Sequence, residues 1–298
     1  VVDVPILTKI HSSLGAETEI EYTPSSGYKN ADGSAANKGL PMPHMTVSKM
    51  TQNDGVGNIS EVNYEYSGGK LYRPNEVKGI QKQEFLGFEK VIKTLPDQSK
   101  IISRYLQGSP ENNFSEKGLL ENQKILSSSN ILLKENKKYY STVLLGNNSF
   151  QSLLISNIHN TFSQFDSNIK RSTAQTYRYD NYGNIIEEKD YGEVLENDSE
   201  SHFEDMKKDL RTIETEYALN TQKHIFSVPK KVIKKNFDGG IVSEVKSYYD
   251  NLSFGEVEKL HLTKIESLVD SEKYLIQKFL YNPKGLLVNQ TNARNYTN

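Results

Sequence analysis

Polar and apolar residues alternate with a period of two along much of the chain. Glu17, Glu19 and Glu21 alternate with Thr18, Ile20 and Tyr22, and Val62-Asn63-Tyr64-Glu65-Tyr66 does the same before Ser67-Gly68-Gly69. Residues 232–237 and 242–249 repeat the pattern. Such alternation sends successive side chains to opposite faces of a strand, and the Gly, Asn, Asp and Ser clusters around it mark turns. The pattern predicts an all-β chain of successive antiparallel β-hairpins, with long loops and at most minor helix.

The turns share one grammar. Asp180-Asn181-Tyr182-Gly183 has Asp at the first position of a type I turn and Gly at the fourth, where the backbone needs positive φ. That is the turn-plus-bulge hairpin loop. Asp54-Gly55-Val56-Gly57 repeats it and runs into Asn58-Ile59, as Gly183 runs into Asn184-Ile185. Asn282-Pro283-Lys284-Gly285 is a third copy, and Asn236-Phe237-Asp238-Gly239 fits less tightly. Residues 95–99 and 128–131 resemble the same turn without its glycine. In Tyr177-Arg178-Tyr179 both rings leave one face of the strand. One hairpin cannot bury that face alone, whereas hairpins side by side can stack rings for roughly 0.5–1.5 kcal/mol per pair. The unit therefore reads as a rung of an extended sheet.

Irregular stretches interrupt the hairpins. Residues 23–46, with Pro24, Pro41 and Pro43, predict a long loop, and 108–118 (GSPENNFSEKG) predict a seam between segments 1–107 and 108–298 of one continuous sheet. Phe150, Leu153, Leu154, Ile158, Phe162 and Phe165 fit either a helix or paired strands, and HFEDMKKDL at 202–210 is compatible with a short surface helix.

Composition narrows the function. Only 35% of the 298 residues are hydrophobic, yet 18 are Tyr and 11 are Phe, a balance that suits half-wet sheet surfaces better than a compact α/β core. A formal net charge of −2 offers no basic face for nucleic acid or anionic lipid. Without cysteine there are no disulfides, thiolate metal sites or Cys nucleophiles. No run of about 18 apolar residues is present to span a membrane as a helix. A start at Val1-Val2-Asp3 reads as an excerpt of something longer.

Candidate chemistry is thin. Glu214-Thr215-Glu216, with Arg171-Ser172-Thr173 upstream, has the Glu-x-Glu spacing of an ADP-ribosyltransferase, but the same spacing recurs at 17/19, 19/21 and 256/258. Strands with one wet face generate it freely. His11, His44, His159, His202, His224 and His261 show no metal-ligand spacing. Asn53-Asp54-Gly55-Val56-Gly57-Asn58 is rich in oxygen ligands for Ca²⁺ but lacks the bidentate Glu that closes an EF-hand loop. Neither a Gly-x-Ser-x-Gly elbow nor a phosphate-binding loop is present. Tyrosine stripes can also stack on sugars, which keeps a cell-surface or glycan-binding adhesion module as the alternative function. The expectation is no enzyme, no cofactor and no metal.

Thr176-Tyr177-Arg178-Tyr179-Asp180-x-x-Gly183-Asn184 resembles the YD repeat of Rhs-type proteins, and Phe279-Leu280-Tyr281-Asn282-x-x-Gly285 is a second copy with Asn in place of Asp. IEYTPSSGYKN (20–30), LPMPHMTVSKMTQNDGVGNISEVNYEYSGG (40–69), EFLGFEKVIKTLPDQSKIISRYLQ (84–107), VPKKVIKKNFDGG (228–240) and YYDNLSFGEVEKLHLTKIE (248–266) are similar to the B component of bacterial insecticidal toxin complexes and to plasmid-virulence B proteins. The resemblance implies hairpins wound into part of a large curved, shell-like sheet that encloses a toxic polypeptide before delivery. It further implies a secreted or cell-surface location, with the rest of a longer chain, a C-component or Rhs-type partner and the enclosed toxin as partners. The residues that would carry the structure are Tyr177, Tyr179, Asp180, Gly183 and Asn184, with Asp54, Gly57 and Asn58, and Tyr281, Asn282 and Gly285.

Overall fold

The computed structural model describes residues 6–73, 83–147, 149–165, 169–196, 203–206, 208–270 and 273–292. The chain divides into two compact units, Val1–Arg171 and Ser172–Asn298. In both, nearly every described element is a strand, and each strand pairs with its neighbour in sequence. The expected all-β hairpin architecture is therefore observed.

The first unit runs through β1 (Lys9–His11), β2 (Glu17–Pro24), β3 (Met45–Asn53), β4 (Ile59–Ser67), β5 (Leu71–Tyr72), β6 (Glu84–Phe85), β7 (Lys90–Thr94), β8 (Lys100–Tyr105), β9 (Leu120–Leu126), β10 (Leu132–Gly146) and β11 (Ser149–Phe162). All pairings between these strands are antiparallel, with β5 and β6 forming a separate ribbon between β4 and β7. The apolar spacing at 150–162, ambiguous in the sequence, resolves as strand β11 paired with β10. Residues 108–118 connect β8 to β9 within this unit and hold one short 3-10 turn, Pro110–Asn112.

The long loop at 23–46 is tied down by one side chain. Asn37 is 6% exposed. Its Nδ2 donates to the carbonyls of Ser25 and Tyr66, at 2.8 and 3.0 Å, while its Oδ1 accepts from the Gly69 N–H at 2.9 Å. Four polar valences of a buried amide cannot be left open without a cost of about 1–3 kcal/mol each. Gly69 is required by this close approach, since a Cβ there would lie 2.6 Å from Leu40 Cδ1. Tyr28, Tyr66, Phe88, Phe85 and His44 continue the joint as a chain of ring contacts with centroids 4.3–5.7 Å apart.

The second unit holds β12 (Lys170–Tyr179, entering from the first), β13 (Ile185–Glu196), β14 (Phe203–Asp205), β15 (Arg211–Asn220), β16 (Ile225–Lys235), β17 (Ile241–Tyr249), β18 (Leu262–Asp270), β19 (Lys273–Tyr281) and β20 (Leu287–Thr291). They form another antiparallel series, in which β13 pairs with β14 near its end and with β15 along Glu187–Asp190. The helix compatible with HFEDMKKDL is not formed at Phe203–Asp205, which pairs as β14 with residues 194–196. Phe203 rests edge-on against Tyr191, 4.9 Å between centroids, so tertiary contact overrides the local helix preference. His202 lies outside the described residues.

Both units have sparse cores. Among the described residues the fully buried apolar side chains are Leu86 and Ile158 in the first unit and Ala174, Val194, Ala218, Tyr249 and Val257 in the second. One cluster joins Ala218, Tyr249 and Val257 with Ile225, Val228 and Leu262. It lies beneath the loop between β17 and β18. Asp250 holds that loop: its carboxylate accepts from the backbone N–H groups of Glu258, Lys259, Leu260 and His261 at 2.7–3.3 Å. Burial alone would raise the Asp250 carboxyl, but these backbone donors outweigh it and hold it below the ordinary aspartate value.

A group with a depressed folded pKa stabilises the fold above its ordinary value and loses that contribution as pH falls through the folded value. Asp250→Ala is expected to cost about 1–3 kcal/mol at pH 7, because four backbone N–H groups lose a charged acceptor. Urea unfolding followed by far-ultraviolet circular dichroism measures the difference. That difference should shrink once the pH drops below about 4.

Candidate functional site

The Asp180 turn is a closed clasp. The Asp180 N–H donates to the Asn184 carbonyl at 3.0 Å, and the Gly183 N–H to the Asp180 carbonyl at 3.2 Å. Asp180 Oδ1 accepts from the Tyr182 and Asn184 N–H groups, both at 2.9 Å, and Oδ2 accepts from Asn184 Nδ2 at 2.9 Å. Gly183 sits at φ 82°, the left-handed region that an L side chain enters only with strain. Beyond the turn, Tyr179 pairs with Ile185 and Arg178 with Glu187, which leaves Ile186 as a bulge. Burial would raise the Asp180 carboxyl, yet the hydrogen bonds from Asn184, Tyr182 and Gly183 prevail and lower it.

The same five-residue ring recurs. At Asp54 the N–H donates to the Asn58 carbonyl at 3.2 Å, Oδ1 accepts from the N–H groups of Val56 and Asn58, and Oδ2 accepts from Asn58 Nδ2. Gly57 stands at φ 108°. Asn282 receives the N–H groups of Lys284 and Leu286 on Oδ1, so the amide oxygen replaces one carboxylate oxygen and only the second acceptor is lost. The turns without glycine close identically, with Gln98 at φ 68° and Asn130 at φ 61°. At residues 236–240 the backbone ring is kept, but Asp238 rather than Asn236 supplies the side-chain acceptor, to the Gly240 N–H at 3.0 Å. The oxygens once considered for Ca²⁺ at 53–58 are turned inward, with Asn53 Oδ1 accepting from the Gly55 N–H. Among the described residues no group of three or more His, Asp or Glu side chains is placed to hold a metal.

Within the second unit the clasps at Asp180 and Asn282 also touch a neighbouring hairpin. Asn184 Nδ2 donates to the Phe226 carbonyl at 2.6 Å, and the Tyr182 ring stacks on Phe226 with centroids 4.7 Å apart. Tyr217 Oη donates to the Ile185 carbonyl at 2.9 Å. At the other copy, His261 stacks on Tyr281 at 4.8 Å and fills the space a Cβ on Gly285 would need. Tyr177 and Tyr179 are half-buried, and burial raises both phenols. Tyr177 Oη donates to Gln175 Oε1 at 3.1 Å.

The remaining polar surface neutralises itself. Glu244 is 6% exposed and accepts from Tyr274 Oη at 2.7 Å, with Lys246 and Lys231 at 3.2 and 3.3 Å. Burial would raise its carboxyl, and these three donors overcome that and lower it. Glu266 repeats the arrangement with Lys264 at 2.8 Å and Tyr248 Oη at 2.9 Å, while Lys264 lies 3.5 Å from the centre of the Tyr248 ring. The first unit has its own example in Glu135, held by Asn122 at 2.9 Å and Lys124 at 3.3 Å. Glu214 and Glu216, the Glu-x-Glu candidates, sit mid-strand on β15 against Lys235 at 2.6 Å and Lys230 at 3.6 Å. Neither faces an unpaired base. These contacts hold strands in register.

Sequence reasoning did not single out Asn37, Asp250, Glu135 or Glu244. Apart from lysines two residues away, their partners lie 8–32 residues off in the chain, and only the turn residues announce themselves through local spacing.

Residues 1–109 match the family model described as the insecticide toxin TcdB middle/N-terminal region. Comparison with curated proteins gives no match. Among solved structures, the crystal structure of TcdB2-TccC3-TEV resembles the chain with a TM-score of 0.69 at 11% identity, covering 94% of this chain and 21% of that one. The TcdB2-TccC3-Cdc42 crystal structure gives a TM-score of 0.69 at 10% identity, with 96% and 21% covered. The Photorhabdus luminescens Tc holotoxin pore gives 0.69 at 10%, with 98% and 22% covered. The chain thus spans about a fifth of the length of these proteins. At such identity the likeness is one of fold: this chain folds like part of a TcdB2-TccC3 polypeptide.

Proposed function

We propose that this chain is a structural, non-enzymatic wall segment of a toxin-complex B-like or Rhs-like protein. Its hairpins form part of a β-shell that encapsulates a toxic polypeptide before delivery, in a secreted or cell-surface setting. Its partners are the rest of its own longer chain, a C-component or Rhs-type protein, and the enclosed polypeptide. The observation that carries this reading is the fold likeness to TcdB2-TccC3 structures over 94–98% of the chain.

Two physical features support it. A sheet with few buried apolar residues keeps both faces half-wet, as a barrier with an outside and an inside requires. A face whose lysines and glutamates answer one another gives a passing polypeptide no strong grip. The glycan-binding alternative needs free ring faces, and Tyr182 and Tyr281 each commit one face to Phe226 and His261.

In the longer protein assembled with its partner, the enclosed polypeptide is expected to resist proteinase K. Asp180→Ala combined with Asn184→Ala opens one clasp and should speed its digestion, whereas equal digestion of an unaltered assembly and of free polypeptide rules out containment. Incubated with NAD, the chain is expected to release no nicotinamide. Release that Glu216→Gln abolishes would replace the wall with a transferase.

A further inference from the structure

The longest uncharged stretch of the chain forms a hairpin with an uncovered edge among the described residues. Residues 139–165 contain no Asp, Glu, Lys, Arg or Pro, although 25% of the chain is charged. They include the outer part of β10 and nearly all of β11. β9 flanks β10 only from Leu132 to Lys137. Farther out, Ser141, Thr142, Val143 and Leu144 pair with Leu153, Ser152, Gln151 and Phe150 of β11. On their other side residues 141–145 meet no strand among the described residues. Val143, Leu144 and Leu145 are 38%, 63% and 56% exposed.

The loop at 108–118 braces this hairpin without covering its edge. Ser115 Oγ lies 2.9 Å from Ser152 Oγ, and Thr142 Oγ1 donates to Glu116 Oε1 at 2.9 Å. Thr142 and Ser152 are direct cross-strand partners, so both contacts fall on one face. Val143 belongs to the opposite face. A braced strand with an open backbone edge, β-prone residues and neither charge nor proline lacks two of the devices that ordinarily block edge pairing, and its register shifts fall at Tyr139/Tyr140 and Leu144/Gly146, on either side of the regular pairs Ser141 to Leu144.

We propose that residues 141–145 of β10 are a strand-addition site for an extended, uncharged polypeptide segment. The backbone edge supplies the hydrogen-bond ladder, and the exposed apolar side chains on both faces supply contacts to alternate residues of the added strand. The charge match selects the occupant: from 139 to 165 the chain supplies no charged side chain of its own, and the carboxylate that reaches this hairpin, Glu116, lies on the Thr142 face, so a charged segment on the Val143 face would find no counter-ion from the hairpin. Identifying that segment with the enclosed chain rests on the containment reading; the edge itself does not.

The test uses the 298-residue chain and a fluorescein-labelled peptide of alternating threonine and valine, with an alternating lysine-glutamate peptide as control. The uncharged peptide should bind by fluorescence anisotropy, the control should not, and amide exchange should slow at 141–145. Val143→Lys combined with Leu144→Lys should weaken binding by about tenfold or more through charge on the edge. Val269→Lys, at an apolar residue 60% exposed on β18, should leave it unchanged. Absent protection at 141–145, or equal loss with Val269→Lys, overturns the site. So does a dimer of the unaltered chain that the double substitution dissolves, which would make a second copy the occupant. None of these outcomes bears on protease protection in the assembled protein, so containment stands or falls separately.

Discussion

Chain reversal between adjacent strands is the constraint on which each unit depends. A thin sheet with seven fully buried apolar side chains among its described residues cannot rely on a core to hold strands in register. Register must then come from the turns. The five-residue ring supplies it: a backbone hydrogen bond closes the loop, a left-handed fourth residue matches strand twist, and a side-chain oxygen at the first or third position occupies the free N–H groups. At Asp180 that oxygen is half-buried and its companion Asn184 reaches the neighbouring hairpin, so one turn sets the geometry of two.

Where a connection is too long for that ring, a single buried polar residue takes over. Asn37 gathers three backbone groups in the loop that leads to β3, and Asp250 gathers four in the loop that leads to β18. Both solve one problem, the unpaired backbone of irregular chain over a sheet with little apolar cover. Along the strands, Glu135 and Glu244 act similarly for lysines: a buried carboxylate is tolerated because cations from flanking strands converge on it.

This division explains what could be read from the amino-acid order. Strands β2, β4, β16 and β17 and the turns at Asp54, Asp180 and Asn282 depend on neighbours within five residues, so alternation and turn chemistry revealed them. Gln98 and Asn130 show that the ring survives without glycine: Asn enters the left-handed region readily, and Gln98 is held there by the two backbone hydrogen bonds of its ring. Phe150, Leu153, Leu154 and Ile158 satisfy helical and extended spacing alike, and only pairing with β10 decided between them. Phe203–Asp205 followed a ring contact with Tyr191 rather than its charged helical spacing. Asn37 and Asp250 had no local signature, since their partners are set by the fold they help to close.

The same logic bears on why the likeness to TcdB2-TccC3 persists at 10–11% identity. A core-dominated fold ties each apolar position to many others, so its sequence drifts only under packing constraints. Here most positions on β12–β20 touch solvent on one side and a cross-strand partner on the other. Such pairs can be exchanged two at a time, lysine with glutamate or tyrosine with threonine, without disturbing the backbone ladder. The positions expected to resist exchange are the few that satisfy backbone groups: the residue that supplies each ring's side-chain oxygen, Asn37, Asp250 and the glycines at close approach. A sheet held in this way keeps its path while its surface varies.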